Sequence, residues 1–262
     1  MNFLYKNFPM LIFAFGIWAC QNKVQVPKSE SASKSSSLMI SSVSYGTDPT
    51  AVKWYEYDHQ GDLIRQGMSI DTIAFDYFKN KIVKRHLNKK LSWDAKTEYT
   101  TDNIGRVTSS VMYDEKDKEI SRFQYFYDSH GYLIRTLQQT LATGAQYINN
   151  YVYESGNLKE VKTYNAQGAE DSRYTYEYYL DQPNVLNLSL QQISDDMLCN
   201  ERLGKMSKNM VSQLANISKE GDTLSLIKYK YQMIKDDSMM RCAQSDVLNE
   251  FDTDVIYHFK KR

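Results

Sequence analysis

The chain has 262 residues, with 32 basic and 32 acidic side chains and a net charge of zero. A zero net charge argues against a nucleic-acid-binding domain that works through a basic face. The composition, 42% apolar and 24% charged, is that of a globular protein and argues against wholesale disorder.

Residues 1–19 have the pattern of an export signal. Lys6 is followed by an apolar run, Phe8–Ala19, which ends at Cys20. This run is shorter than the ~20 apolar residues that a membrane-spanning helix needs, and it has the proportions of a signal-peptide core. We therefore expect residues 1–19 to be a cleaved signal peptide.

The end of that run, Ile17-Trp18-Ala19-Cys20, resembles a bacterial lipobox, although Trp18 is larger than the residue usual in that class. The resemblance implies cleavage before Cys20 and attachment of acyl chains such as palmitate to it. The alternative is an ordinary signal with an incidental cysteine. The serine-rich residues that follow cannot bury a core, so we expect residues 20–37 to be a lipid-anchored flexible tether.

An internal repeat occupies residues 38–181. The segment Tyr55–Arg65 returns as Tyr125–Arg135, and both contain Tyr-x-Tyr-Asp-x-x-Gly. Weaker copies begin at Tyr99 and Tyr151. Tyr-x-Tyr alternation places both rings on one face of a strand, because strand side chains alternate between faces. Each unit of about 25 residues is therefore predicted to be two antiparallel strands with two turns.

The repeat glycines predict the hairpin turns. Gly105, Gly131 and Gly156 are 26 and 25 residues apart, whereas Gly61 precedes Gly105 by 44 residues, which indicates an intervening unit that has decayed or changed length. The Asp carboxylate can accept local backbone N–H groups, and Gly supplies a positive φ. We therefore expect Gly61 and Gly131 to adopt positive φ in hairpin turns.

The Tyr-Asp-x-x-Gly-x-Leu pattern resembles the YD repeats of the Rhs and teneurin class. The whole arrangement is similar to an uncharacterised family of Gram-negative envelope lipoproteins, described as a domain of unknown function with a porin-like fold. In that family the hairpins are followed by a Ser-Lys-Asn segment, which corresponds here to residues 203–210, with Met210 where the family usually has Leu. The resemblance implies an envelope location and no assigned activity.

Residues 182–262 are less regular. Strand alternation is lost between Val185 and Asn216. The spacing of Met206, Met210 and Leu214 would allow a short helix, but we favour an irregular segment that caps the repeat array. Closing strands are predicted at residues 224–231 and 254–259, as extensions of the same sheet.

The sequence contains no recognisable catalytic or metal-binding constellation. Its histidines lie in no metal motif, and there is no Gly-x-Ser-x-Gly elbow or phosphate loop. Asp58, Asp102 and Asp128 recur at one repeat position, where turn capping explains them better than catalysis. We therefore predict that the protein is not an enzyme and binds no cofactor. The histidines are His59, His86, His130 and His258.

Four residues remain as candidate sites. Trp54 and Trp93, with the tyrosine stripes, are candidates for an aromatic surface that binds sugars or peptides; the alternative is that they are half-buried sheet positions. Once Cys20 is acylated, Cys199 and Cys242 are the remaining thiols. An oxidising exported compartment favours a disulfide between them, closing a loop of roughly 40 residues; two buried free thiols are the alternative.

Residues 38–262 are thus predicted to form a single all-β domain. Its architecture is a twisted antiparallel sheet of successive β-hairpins, elongated or curled toward a half-barrel, with an irregular C-terminal cap. A transmembrane barrel is not expected, because its strands need a lipid-facing apolar row over about 9 to 11 residues, whereas residues 105–113 are short and polar.

The predicted function is that of a lipid-anchored protein of the Gram-negative envelope, in the outer membrane on its periplasmic or surface side. We expect a non-catalytic binding or interaction module for a glycan, a peptide or a partner protein. The alternative is a structural accessory of an envelope assembly with no small ligand. The predicted partners are the membrane, through the acyl chains, and an envelope protein or glycan, but no nucleic acid.

Overall fold

The described residues form sixteen β-strands. The structure, a computed structural model, describes residues 38–46, 50–68, 71–87, 95–184, 200–235 and 238–261. Within these ranges, no helix is long and apolar enough to cross a membrane. A 3-10 turn, Asn200–Leu203, precedes β13. The strands are β1 (Leu38–Tyr45), β2 (Val52–Tyr57), β3 (Leu63–Met68), β4 (Asp71–Phe78), β5 (Lys81–His86), β6 (Lys96–Thr101), β7 (Val107–Tyr113), β8 (Glu119–Tyr127), β9 (Leu133–Thr140), β10 (Gln146–Glu154), β11 (Asn157–Tyr164), β12 (Glu170–Pro183), β13 (Asn209–Ser218), β14 (Thr223–Lys235), β15 (Met239–Asp246) and β16 (Phe251–Lys261).

The strands close into a barrel. Each strand pairs antiparallel with its neighbours in sequence, and β1 pairs with β16 from Leu38 opposite Lys261 to Tyr45 opposite Val255. The all-β antiparallel prediction is therefore confirmed, but the open sheet or half-barrel is wrong. Closure removes both sheet edges, which would otherwise expose unpaired backbone N–H and C=O groups. The predicted signal peptide and tether lie outside the described residues.

The predicted hairpin turns are present. Gly61 and Gly131 have φ values of 86° and 89°, as expected. In the first turn, Asp58 Oδ1 accepts the backbone N–H groups of Gln60 and Asp62 at 2.8 and 2.9 Å. The carboxylates of Asp102 and Asp128 accept the equivalent pairs of N–H groups, so the recurring aspartates do cap turns. The intervening unit predicted between Gly61 and Gly105 is the β4–β5 hairpin, whose two-residue connection contains no glycine.

The C-terminal third is more regular than expected. The region predicted to hold an irregular cap and two closing strands contains, in its described part, four long strands, β13 to β16, which complete the barrel. The helical alternative for residues 206–214 is also wrong, because β13 starts at Asn209 and pairs on both sides. The predicted closing strands, residues 224–231 and 254–259, lie within β14 and β16.

The barrel interior is filled mainly with apolar side chains, among which a smaller number of polar ones, such as Gln66 and Lys84, are also buried. One contiguous buried cluster contains residues from every strand, and a cluster shared by strands all round a barrel must lie inside it. In β8 the buried residues Ser121, Phe123 and Tyr125 alternate with exposed Arg122 and Gln124. Barrels of 16 to 18 strands in porins enclose an aqueous channel, which would leave inward side chains wet. Here the inward side chains of the cluster are buried, and further tyrosines pack against them.

The tyrosine excess belongs to this interior. Tyr99, Tyr125 and Tyr151 are fully buried members of the cluster, and further tyrosines pack against it. A bulge follows each of the repeat turns and disturbs the backbone hydrogen-bond ladder there. Tyrosine hydroxyl groups at the strand ends supply hydrogen bonds at these places. The hydroxyl groups of three tyrosines donate to the first carbonyls after these turns, at 2.6 to 2.9 Å. The pairs are Tyr77 with Leu63, Tyr127 with Val107, and Tyr178 with Leu158.

The outer face of the wall is polar. Cross-strand ion pairs join outward-facing residues on neighbouring strands, for example Lys81 with Glu98 at 3.6 Å and Arg241 with Asp254 at 2.6 Å. These side chains are largely exposed and contribute little to stability individually. They do establish the polarity of the barrel, which is apolar inside and charged outside.

Candidate functional site

The two ends of the barrel differ in construction. At one end, residues 202–209 run across the hairpins that join β6 to β7, β8 to β9 and β10 to β11; we call this segment the latch. The opposite end carries the turns that join β13 to β14 and β15 to β16. Because β1 starts opposite the last residues of β16, Leu38 lies at the latched end.

The latch contacts one hairpin after another. Arg202 donates from Nη1 to the Gly105 carbonyl at 3.2 Å and from Nη2 to Asp62 Oδ1 at 3.0 Å. The Lys205 amide donates to the Gly131 carbonyl at 2.8 Å. The Lys208 amide donates to the Gly156 carbonyl at 3.1 Å. Each of the three evenly spaced repeat glycines thus accepts a hydrogen bond from the latch.

The spacing of these contacts follows from strand geometry. Neighbouring hairpins at one barrel end are separated by two strand spacings, or about 9.6 Å. Three residues of extended chain span about 10 Å. In an extended segment that crosses the hairpins, every third residue therefore reaches a new hairpin, as Arg202, Lys205 and Lys208 do.

The polar residues of the latch secure its far end. Ser207 Oγ accepts the Leu158 amide at 3.0 Å and lies 3.0 Å from the Tyr178 hydroxyl. Asn209 and Asn157 exchange two hydrogen bonds, at 3.0 and 3.1 Å, through their side chains and the Asn209 amide. The Ser-Lys-Asn segment singled out in the sequence is therefore a structural closure of this barrel end.

Four large apolar side chains are exposed at the opposite end. Leu224, Val247, Leu248 and Phe251 are 47 to 61% exposed, and we call them the rim patch. They are held together by the β15–β16 turn, where Asn249 Nδ2 donates to the Leu224 carbonyl at 3.3 Å. The Val247 amide donates to the Leu226 carbonyl at 2.9 Å. These hydrogen bonds join the two turns that carry the four side chains, and exposed apolar side chains grouped at one end with a polar border are typical of interaction surfaces.

Asp246 organises this turn. Its Oδ1 accepts the amides of Leu226, Leu248 and Asn249 at 3.2 to 3.3 Å, and its Oδ2 accepts Asn249 Nδ2 at 2.7 Å. Partial burial alone would raise the pKa of the Asp246 carboxyl, but the hydrogen bonds outweigh it and the pKa is lowered. The ionised carboxylate therefore holds the rim patch in shape.

The surroundings of the rim patch are acidic. Residues 219–224 and 246–252 contain one basic residue, Lys219, and five carboxylates, for a net charge of −4. Lys219 lies 3.6 Å from the Glu220 carboxylate. The other acidic residues of these turns are Asp222, Asp246, Glu250 and Asp252.

A shallow groove lies on the outer wall across β10, β11 and β12. Its volume is about 590 Å³, and its lining includes Val152, Glu160, Thr175 and Glu177. The ion pair between Lys159 and Glu154 borders it. The groove is open to solvent and has a mixed lining of apolar and charged side chains, so its lining favours no single ligand class.

The structure separates Trp54 from the tyrosine stripes. Trp54 lies on the outer face of β2, whereas its neighbour Tyr55 points into the barrel core. The indole lies over Gly67, where an added Cβ would come within 2.5 Å of the ring. Trp93 lies outside the described residues. The aromatic surface formed by the two tryptophans stays a prediction, but the buried tyrosines are not part of it.

One of the three cysteines lies within the described residues. Cys242 lies buried on the inner face of β15 and forms no disulfide with another described residue, and burial raises the pKa of its thiol to about 12. Cys20 and Cys199 lie outside the described residues, so both lipidation and the disulfide stay predictions. Within the described residues, no group of three or more His, Cys, Asp or Glu side chains could hold a metal ion.

Sequence reasoning missed both the rim patch and the role of Arg202. The rim patch is invisible as a motif because it joins two turns that are more than twenty residues apart. A weak signal was available in Val247-Leu248, an apolar pair inside a turn sequence. Arg202 could not be paired with Asp62 from sequence, since 140 positions separate them.

The fold has counterparts among solved structures. A porin-like protein from Bacteroides uniformis matches with a TM-score of 0.59 and 12% identity, over 85% of this chain and 96% of that chain. A porin-like protein from Bacteroides vulgatus matches with a TM-score of 0.58 and 14% identity, over 86% and 98%. No protein-family model and no curated protein matches the chain. The predicted similarity to porin-like proteins is confirmed at the level of the fold, while the YD-repeat and lipoprotein assignments have no support from a family model.

Proposed function

We propose that the chain is a lipid-anchored protein of the Gram-negative outer membrane, whose barrel stands outside the bilayer as a non-catalytic binding or interaction module. Its ligand class is a glycan, a peptide or a partner protein. The observation that carries this proposal is the polarity of the wall, with tyrosines and aliphatic residues inside and charged residues outside. A barrel that spans a membrane has the opposite arrangement.

The cost of immersion can be estimated from the outward-facing side chains. Arg122, Arg173 and Lys228 point outward within β8, β12 and β14. An Arg or Lys that faces lipid near the bilayer midplane costs about 2–4 kcal/mol. Several such residues around the wall oppose insertion, and the filled interior argues against conduction through the barrel.

An anchor at Cys20 suits the described geometry. The predicted tether would join the barrel at Leu38, at the latched end, so the rim patch would face away from the membrane. Several acyl chains bury enough methylene groups for stable attachment without a spanning segment. The porin-like neighbours come from Bacteroides, a Gram-negative genus, which supports an outer-membrane location.

Membrane fractionation tests the anchor and the position of the barrel together. We expect Cys20→Ala to leave the detergent phase or to fail to mature, whereas Cys242→Ala, which removes a thiol unrelated to the anchor, should fractionate like wild type. We also expect no conductance in planar bilayers. Detergent partition of a Cys20→Ala protein that has lost its signal peptide, or stable single-channel currents, would contradict the proposal.

A ligand screen on the full chain in phosphatidylcholine nanodiscs tests the binding function. Glycan and peptide arrays are the appropriate panels, and empty nanodiscs serve as the blank. Saturable binding to either panel supports a binding module. Absence of binding, together with co-purification in a stable envelope assembly, would favour the alternative of a structural accessory.

A further inference from the structure

The rim patch has the features of a docking surface for one chemical class of partner. Its four apolar side chains are held in place by hydrogen bonds of the β15–β16 turn and are not covered by any described part of the chain. The patch lies at the barrel end opposite the latch. A partner could therefore approach it without meeting the membrane that the proposed anchor would hold at the latched end.

The charge at this end identifies the kind of partner. The two turns around the patch have a net charge of −4, and the carboxylates of Asp222 and Asp252 have no basic residue within their own turns other than Lys219, which lies beside Glu220. Complementary potentials favour a cationic partner and disfavour an anionic one. An anionic lipid surface would be repelled, although the apolar side chains alone would suit a membrane.

We propose that the rim patch docks a cationic amphipathic segment of a partner polypeptide. Apolar side chains of that segment cover Leu224, Leu248 and Phe251, while its Lys or Arg side chains face the bordering carboxylates. This inference rests on the proposed binding function and names its partner class. The arrangement combines apolar anchors with a polar, charged rim, as in other protein interfaces.

A synthetic amphipathic peptide of leucine and lysine is the probe. It is titrated against the full chain in phosphatidylcholine nanodiscs, with empty nanodiscs as the blank, and a peptide with glutamate in place of every lysine is the charge control. We expect saturable binding of the lysine peptide, weakened by salt, and at least tenfold weaker binding of the glutamate peptide.

Paired variants locate the binding. We expect the double variant Leu248→Ser, Phe251→Ser to weaken lysine-peptide binding at least tenfold. Leu180→Ser, which removes an exposed apolar side chain at the latched end, should leave it unchanged. The double variant Asp222→Asn, Asp252→Asn should weaken binding at low salt and reduce its salt dependence. Circular dichroism establishes that each variant is folded.

The inference is overturned by no saturable binding of the lysine peptide, by binding that the rim variants do not alter, or by equal binding of the glutamate peptide. Rim-dependent binding to phosphatidylglycerol vesicles in place of the peptide would also overturn it, in favour of a lipid surface. Should the ligand screen find a glycan or an unrelated peptide while the lysine peptide does not bind, this inference fails and the proposed binding function stands. If neither assay finds a ligand, both fail.

Discussion

Substitution of Gly204 in the latch tests whether close backbone contact, and not only a positive φ, fixes the closed barrel end. Gly204 has φ +99°, and an added Cβ would lie 2.9 Å from the Gly131 carbonyl oxygen and 3.1 Å from the Leu133 amide nitrogen. Gly221, in the β13–β14 turn, has φ +94°, but an added Cβ there meets nothing within 4 Å. The two positions thus have nearly the same backbone conformation and differ in their surroundings.

The expected magnitudes follow from that difference. An alanine in a left-handed conformation costs about 1–2 kcal/mol, and both variants bear this cost. Gly204→Ala also forces backbone atoms apart, and overpacking of this kind costs about 1–3 kcal/mol. We therefore expect Gly204→Ala to lower the free energy of unfolding by about 3 kcal/mol and Gly221→Ala by about 1 kcal/mol.

Urea unfolding of the two full-length variants, followed by far-ultraviolet circular dichroism, measures this comparison. Equal slopes with urea concentration would show that the same surface is exposed on unfolding in both variants. If the free energies of unfolding of Gly204→Ala and Gly221→Ala agree within about 0.5 kcal/mol, the close contact of the latch with the β8–β9 hairpin does not determine stability, and the argument is refuted.

Other predictions concern side-chain partners. Tyr127→Phe leaves the buried Val107 carbonyl without its hydroxyl donor and should lower the free energy of unfolding by about 1–3 kcal/mol. Tyr147→Phe, at an exposed ring, should leave it almost unchanged. Equal losses in the two variants would contradict the hydrogen-bonding role of Tyr127. Arg202→Met leaves the nearly buried Asp62 carboxylate without its guanidinium partner and should lower the free energy of unfolding by about 3 kcal/mol. Adding Asp62→Asn should recover part of that loss. If the double variant is no more stable than Arg202→Met, the pairing of the two side chains is unimportant. The pKa of Asp246 is lower in the folded chain than in the unfolded chain, so the unfolded chain takes up a proton first and stability should fall as the pH drops below about 4. Urea unfolding at a series of pH values should show a smaller fall for Asp246→Asn. The same loss of stability in acid for both proteins would contradict this prediction.

The repeat turns could be predicted from sequence because their determinants are local. An Asp side chain caps amides two and four residues ahead, and Gly supplies the positive φ within the same five residues, as at Asp58 and Gly61. Such patterns survive in any tertiary context. The latch could not be derived in this way, because its hydrogen bonds to the hairpins join positions 49 to 140 residues apart, and only the unusual Ser-Lys-Asn sequence marked it.

The strands that were missed have weak local signals. In β13, Met210, Val211 and Leu214 fit a helical spacing as well as a strand with a bulge, and the structure has a register shift between Glu177 and Tyr178 opposite this segment. In β15, the inward row consists of Met240, Cys242 and Gln244, which is not strongly apolar. Pairing with both neighbours, and not intrinsic preference, decides such strands.

Closure of the barrel follows from what the described chain lacks. An open sheet of tyrosine-faced hairpins buries its apolar face only if another element covers it, and the described chain offers no amphipathic helix and no second sheet. The remaining solution is for the sheet to cover its own face, which it does by pairing β1 with β16. The same argument determines the polarity of the wall. Since one face of every strand carries the buried tyrosines and aliphatic residues, closure around that face leaves the charged rows outside, where water and partners meet them.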